Sequence, residues 1–120
     1  MSYRDALKSL TEAVGGGLAA IIMGYDGIAI DEYMVPNVPF DLQLVAVEYA
    51  NLLRDVKRTV ELLENGSMEE VSIATDKVRV LVRIINEDLF LALVITADGN
   101  FGKGRYLLNR EAMRLRTELG

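Results

Sequence analysis

Three apolar segments follow one another between residues 68 and 97 with almost nothing between them. They are Met68–Thr75, Val78–Ile85 and Leu89–Ala97, and the connections are Asp76-Lys77 and Asn86-Glu87-Asp88. Connections of two or three residues join neighbouring strands that run antiparallel, because parallel strands need a much longer crossover. The sequence therefore predicts a three-stranded antiparallel meander.

The first strand of this meander differs from the other two. The second and third segments are apolar at nearly every position, which is typical of strands covered on both faces. The segment Met68–Thr75 instead carries Glu69, Glu70 and Ser72, which favours a place at the edge of the sheet. An edge strand exposes unpaired backbone donors and acceptors, and this one is poorly protected against another strand. We therefore expect the protein to function through a partner.

The composition disfavours several classes of function. The 120 residues suit a single domain, 1–120, and the absence of both cysteine and histidine removes thiolate metal sites and the commonest general base. A net charge of −5 disfavours nucleic acid as the main ligand. No segment approaches the roughly 20 apolar residues of a membrane span, and no secretory signal is visible. We expect a cytoplasmic protein that is not an enzyme and uses no metal or cofactor.

The N-terminal third predicts one helix and one hairpin. Ser2 has the position of an N-cap for a helix over residues 3–14, which the three glycines Gly15–Gly17 end. The apolar runs that follow, Leu18–Met23 and Ile28–Tyr33, flank a glycine-rich turn. This arrangement predicts a β-hairpin.

The longest helical pattern begins after Asp41, a good N-cap, and closes at Asn65-Gly66. At 100° per residue, eight apolar side chains of this helix fall within an arc of roughly 100°, which predicts a stripe facing the core. These side chains are Leu42, Val45, Tyr49, Leu52, Leu53, Val56, Val60 and Leu63.

A flank of small side chains lies beside that stripe. Ala46 and Ala50 would let another protein approach the helix closely, although alanine also favours helices for its own sake. Arg54 and Lys57 continue the flank and could stabilise charge near a bound nucleotide. Pairing with acidic neighbours on the helix surface, such as Glu61, is the alternative for these basic residues.

The last helix runs over residues 103–119, so the order is helix, two strands, helix, three strands, helix. This order, with Gly-Tyr-Asp-Gly-Ile-Ala-Ile at 24–30 and Gly-Lys-Gly-Arg-Tyr-Leu-Leu at 102–108, resembles the roadblock family of dynein light chains. Within the family, the chain looks most like the bacterial MglB-type regulators of Ras-like GTPases. The resemblance implies an α+β, profilin-like α-β-β-α-β-β-β-α fold. Its five-stranded antiparallel sheet has the order 2-1-5-4-3, with the long helix on one face and both terminal helices on the other.

The resemblance also implies a homodimer whose third strands pair across a twofold axis while the long helices lie side by side. On this chain the dimer contact falls on Val71, Ser72, Ile73, Ala74 and Thr75. The paired long helices form the platform for a Ras-like (MglA-type) small GTPase, which places Ala46, Ala50, Arg54 and Lys57 in the contact.

The implied function is regulation of the nucleotide state of that GTPase, by GAP-type activation without catalytic residues from this chain. A scaffold or adaptor subunit of a larger motility or motor assembly, with no nucleotide-linked activity, is the alternative. A small-ligand sensor of related architecture would need a polar-lined pocket, which the apolar sequence does not indicate.

Overall fold

A computed structural model describes residues 3–120, so the N-cap predicted at Ser2 lies outside the described residues. The elements are α1 (Tyr3–Ala13), β1 (Gly17–Gly24), β2 (Ala29–Met34), α2 (Leu42–Leu63), β3 (Glu70–Ala74), β4 (Val78–Ile84), β5 (Leu89–Thr96) and α3 (Phe101–Leu119). The five strands form one antiparallel sheet in the order β2-β1-β5-β4-β3. The predicted fold class, element order and strand order are confirmed.

The strand β5 lies at the centre of the sheet between β1 and β4. Its residues 90–95 are all buried, because helices cover both faces of the sheet at this point. Alternate side chains point to opposite faces: Leu91, Leu93 and Ile95 join the core under α1 and α3, whereas Phe90, Ala92 and Val94 join the core under α2. The unbroken apolar run in the sequence follows from this double covering.

The connection between α1 and β1 depends on close backbone contact. Gly16 has a φ of +86°, and a Cβ atom on Gly17 would lie 2.0 Å from the carbonyl oxygen of Thr11. The amide of Gly17 donates to the carbonyl of Val14 at 2.9 Å, which closes the end of the helix. Glycine is therefore required here for both conformation and space.

The helix α2 begins as predicted, because the Asp41 carboxylate accepts from the amides of Gln43 and Leu44. Its end differs from the prediction. The left-handed residue that caps the helix is Glu64, with a φ of +52°, and the predicted stop at Asn65-Gly66 lies just beyond it. The helix α3 starts two residues earlier than predicted, because the Asn100 side chain accepts from the Lys103 amide.

The orientation of α2 corrects the predicted core stripe. Ala46 and Ala50 are only 4% and 1% exposed and lie in the core with Leu42 and Leu53, whereas Leu63 is 64% exposed. Because alanine side chains are short, the backbone of α2 can approach the sheet closely along this face. The buried face is rotated by roughly 65° from the predicted stripe, at 100° per residue. The prediction that the two alanines form an exposed flank is therefore wrong.

We expect Ala50→Arg to lower the free energy of unfolding by about 3 kcal/mol or more, since it would bury an unpaired charge against the sheet. Leu44→Arg is the matched control, because Leu44 lies on the same helix and is 61% exposed. Urea unfolding of both variants measures the difference. Equal stability of the Ala50→Arg variant and the wild type would contradict the observed orientation of α2.

Candidate protein-interaction site

One flank of α2 carries apolar side chains that the core covers only in part or not at all. Val45, Tyr49, Val56 and Val60 are half-buried, while Leu52 and Leu63 are exposed. This set, the α2 stripe, includes most of the residues predicted to face the core. Val45 and Tyr49 line an apolar cleft of about 280 Å³ together with Val78 and Val80 of β4. The α2 stripe therefore faces the side of the sheet on which β3 forms the edge.

The edge strand β3 presents its free backbone groups to solvent. The amide of Thr75 donates to the carbonyl of Val78, and the amide of Ile84 donates to the carbonyl of Glu69, so odd-numbered residues face β4. Since ladder bonding alternates along an antiparallel strand, the amides and carbonyls of residues 70, 72 and 74 point away from the sheet. These groups are available to another strand.

The residues predicted for the dimer contact fall on this edge, with one exception. Val71, Ser72, Ile73 and Ala74 lie on β3, but Thr75 lies in the turn that follows it. The Thr75 hydroxyl accepts from the amides of Lys77 and Val78 and so organises that turn. Val71 packs against the core under α2, on the same face of the sheet as the α2 stripe.

The opposite edge of the sheet, β2, differs in its backbone chemistry. The amide of Val35 donates to the carbonyl of Leu18, so residues 31, 33 and 35 face β1 and the amide of Glu32 points outward. That outward amide donates to the carboxylate of the preceding residue, Asp31, at 2.9 Å. The central donor of this edge is therefore already occupied, and two acidic side chains stand beside it.

Arg54 and Lys57 meet in one cleft of about 570 Å³ between α2 and two turns of the sheet. The Lys57 ammonium lies 4.8 Å from the centre of the Tyr25 ring and donates to the Glu87 carbonyl at 2.7 Å. Arg54 donates to the Tyr25 carbonyl at 3.0 Å. Within the described residues Lys57 pairs with the Glu87 carboxylate, at 3.6 Å, rather than with Glu61 as the sequence alternative had it.

Tyr25 was not predicted as part of this site. Its ring packs on Phe90, and its buried hydroxyl has no hydrogen-bond partner within residues 3–120. Burial raises the pKa of that hydroxyl to about 12, and the negative charges of Glu87 and Glu61 add to the effect. The glycine-rich turn at residues 24–27 was the only sequence signal, and it indicated a turn rather than a contact with α2.

The four residues predicted to bind a GTPase therefore divide into two groups. Arg54 and Lys57 lie at the surface of the cleft, whereas Ala46 and Ala50 lie beneath α2 and face the sheet. A docked protein could touch the first pair directly. The alanines can influence such a contact only by setting the position of the helix.

On the other face of the sheet, an ion-pair cluster joins the edge strand to α3. The Arg105 guanidinium donates three hydrogen bonds to the Glu70 carboxylate at 2.8 to 3.0 Å, and Arg83 of the neighbouring strand donates a fourth at 3.3 Å. The hydrogen bonds from Arg105 are the main reason that the pKa of Glu70 lies below its usual range. This cluster holds β3 in place beside α3.

Residues 3–120 contain neither a metal-binding cluster nor a membrane-spanning helix. No group of three acidic residues is close enough to hold a metal ion in this part of the chain. No helix described there is both long and apolar enough to cross a bilayer.

The sequence matches no family model, and it matches no curated protein. Among solved structures it is similar to MglC from Myxococcus xanthus, with 43% identity, coverage of 98% of this chain and 99% of that chain, and a TM-score of 0.71. A Roadblock/LC7 domain from Streptomyces avermitilis has 15% identity and a TM-score of 0.81, and the match covers 94% of this chain and 93% of that domain. An MglB with tetrameric arrangement has 18% identity and a TM-score of 0.82, and the match covers 94% of this chain and 84% of that chain. The last two show the shared fold, and the identity to MglC extends over nearly the whole chain.

We expect Glu70→Gln to lower the free energy of unfolding at about pH 7 by about 1 kcal/mol, because a neutral amide replaces the partly exposed ion pairs. The pKa of Glu70 is lowered by folding, so its stabilisation is present above the ordinary value of 4.5 and is lost as the pH falls through the lowered value. The stabilities of both proteins, measured by urea unfolding, should therefore converge as the pH falls through that lowered value. The exposed neighbour variant Glu69→Gln is the matched control and should leave the stability at about pH 7 unchanged. A difference between Glu70→Gln and the wild type that persists in acid would contradict the assignment.

Proposed function

Since the chain belongs to the roadblock family, we propose that it forms a cytoplasmic homodimer that binds a Ras-like small GTPase. We further propose that it modulates the nucleotide state of this GTPase by GAP-type activation. The observation that carries the proposal is the α2 stripe, a partly exposed apolar surface beside an edge strand with free backbone groups. Such a surface favours a protein partner over a small ligand.

Self-association would cover the α2 stripe and pair the free backbone groups of β3 in a single contact. A second copy can pair with β3 in the antiparallel sense about Ser72, which sets residue 70 of each copy opposite residue 74 of the other. A twofold contact of this kind is self-complementary, so the same patch serves both copies. The α2 stripes of the two copies would then cover one another, and burial of side chains of this size contributes about 1.5 to 3 kcal/mol each when complete. The tetrameric arrangement named for the similar MglB supports self-association in this fold.

In such a dimer, the outward faces of the two α2 helices would form one platform for the GTPase. Leu44 and Leu62 are exposed on this side by 61% and 71%, which provides apolar contact. Arg54 and Lys57 lie on the flank, and the Tyr25 ring and Glu87 hold Lys57 in place. A chain without histidine or cysteine fits activation through the GTPase's own catalytic residues, which binding would reposition.

We expect Arg54→Ala and Lys57→Ala each to weaken the complex with a GTP-loaded Ras-like small GTPase by about tenfold. The control is Lys8→Ala, an exposed residue of α1 on the opposite face of the sheet. Affinity and phosphate release are measured together. A complex that leaves phosphate release unchanged would support the adaptor function instead, and no complex in either nucleotide state would contradict GTPase binding.

The proposed strand pairing can be tested without disturbing the internal ladder. We expect Ser72→Pro to give a folded monomer, because proline removes the outward amide that the second copy would use. Ile73→Pro removes an amide that faces β4 and should instead destabilise the fold. Light scattering gives the mass of each variant, with Ser72→Ala as the control that keeps the amide. A Ser72→Pro variant that is still dimeric would exclude pairing through β3.

A further inference from the structure

Basic side chains of this acidic protein are concentrated near α3. The chain has a net charge of −5, yet α3 carries five basic residues and two acidic ones, Glu111 and Glu118. The basic residues are Lys103, Arg105, Arg110, Arg114 and Arg116. Arg79 and Arg83 of β4 add to them at the β3 side of this helix. A positive region therefore lies on the face of the sheet opposite α2.

A cleft of about 370 Å³ opens between α3 and β3 within this region. It is lined by Glu70, Arg83, Phe101, Arg105, Tyr106 and Asn109. The Arg79 guanidinium lies 5.3 Å from the centre of the Phe101 ring. The cleft thus combines aromatic walls with guanidinium groups, and the small residues Ser72 and Ala74 of β3 leave its open side unobstructed.

The positive charge around this cleft is only partly neutralised. Glu70 is the single carboxylate that lines it, and both Arg83 and Arg105 share that carboxylate. Arg79 makes no ion pair among the described residues, and its Nε atom donates to the carbonyl of Ala97. Additional carboxylates would therefore meet guanidinium groups that still have free donors.

The cleft also contains an acceptor without a donor. The Oδ1 atom of Asn109 is buried and has no hydrogen-bond partner within residues 3–120. A buried unpaired carbonyl is costly, and a turn of the Asn109 side chain toward the cleft would let a backbone N–H group of a bound chain satisfy it. Phosphate groups offer the guanidinium groups acceptors but offer Asn109 no donor, and the net charge of −5 disfavours a nucleic acid as the ligand. A protein segment offers both kinds of group.

We propose that the cleft between α3 and β3 binds an acidic segment of a partner protein. Carboxylates of the segment pair with Arg79 and Arg105, its backbone donates to Asn109 Oδ1, and an apolar side chain contacts Tyr106. Each chain contains the whole cleft on the face opposite α2. The inference therefore does not depend on GTPase binding.

Binding is tested with a fluorescein-labelled peptide of Asp-Glu-Leu-Gly repeats. A labelled peptide of Asn-Gln-Leu-Gly repeats is the uncharged control. Fluorescence anisotropy should show binding of the acidic peptide alone, with an affinity that falls as salt is added. Arg79→Gln and Asn109→Leu should each weaken binding by about tenfold. Arg58→Gln, which removes an exposed charge from α2 on the other face of the sheet, should leave it unchanged.

Asn109→Leu separates binding from folding. Replacing an unpaired buried amide by an apolar group should leave the melting temperature unchanged or raise it, so weaker binding by this variant cannot reflect unfolding. Equal binding of both peptides, or full affinity in the Arg79→Gln and Asn109→Leu variants, would overturn the proposal. So would binding to vesicles of phosphatidylserine and phosphatidylcholine in the absence of peptide binding, which would identify a membrane-facing surface instead.

Discussion

The close packing of α2 against the sheet determines which apolar side chains remain at the protein surface. Ala46 and Ala50 bring the helix backbone near the sheet, and this fixes the rotation of α2 about its own axis. With small side chains facing inward, the larger ones at positions 45, 52 and 63 are turned toward the β3 side. A helix with the same composition but its large side chains inward would leave no such stripe. The buried alanines thus determine which apolar side chains of α2 remain partly exposed.

The edge strand β3 is held firmly although its outward groups are free. On one face Arg105 and Arg83 bind the Glu70 carboxylate, and on the other Val71 packs into the core under α2. A strand anchored in this way keeps its exposed amides and carbonyls at fixed spacing. Little conformational entropy then remains to be lost when another strand pairs with it. The same Glu70 cluster forms part of the cleft beside α3, so the two faces of the edge are physically connected.

The parts of the fold that depend on local pattern could be predicted from the sequence. The short connections predicted the meander, and the unbroken apolar run predicted that β5 is covered on both faces. Asp41 predicted the start of α2. The rotation of α2 could not be predicted, because a hydrophobic stripe looks the same whether it faces a core or an interface. The Lys57 contact with residue 87 and the Arg105 contact with residue 70 join positions 30 and 35 apart. Periodicity carries no information about such pairs.

The occupied amide of Glu32 has a consequence for how far assembly can proceed. A sheet with two open edges can add copies at both ends without limit, which is the route to a fibre. Here the carboxylate of Asp31 already accepts from that amide, and a second β2 would bring like charges into register. A sheet edge whose central amide is already bonded presents fewer free groups to a further strand. The hydrogen bond between two adjacent residues therefore disfavours growth of the sheet beyond β2.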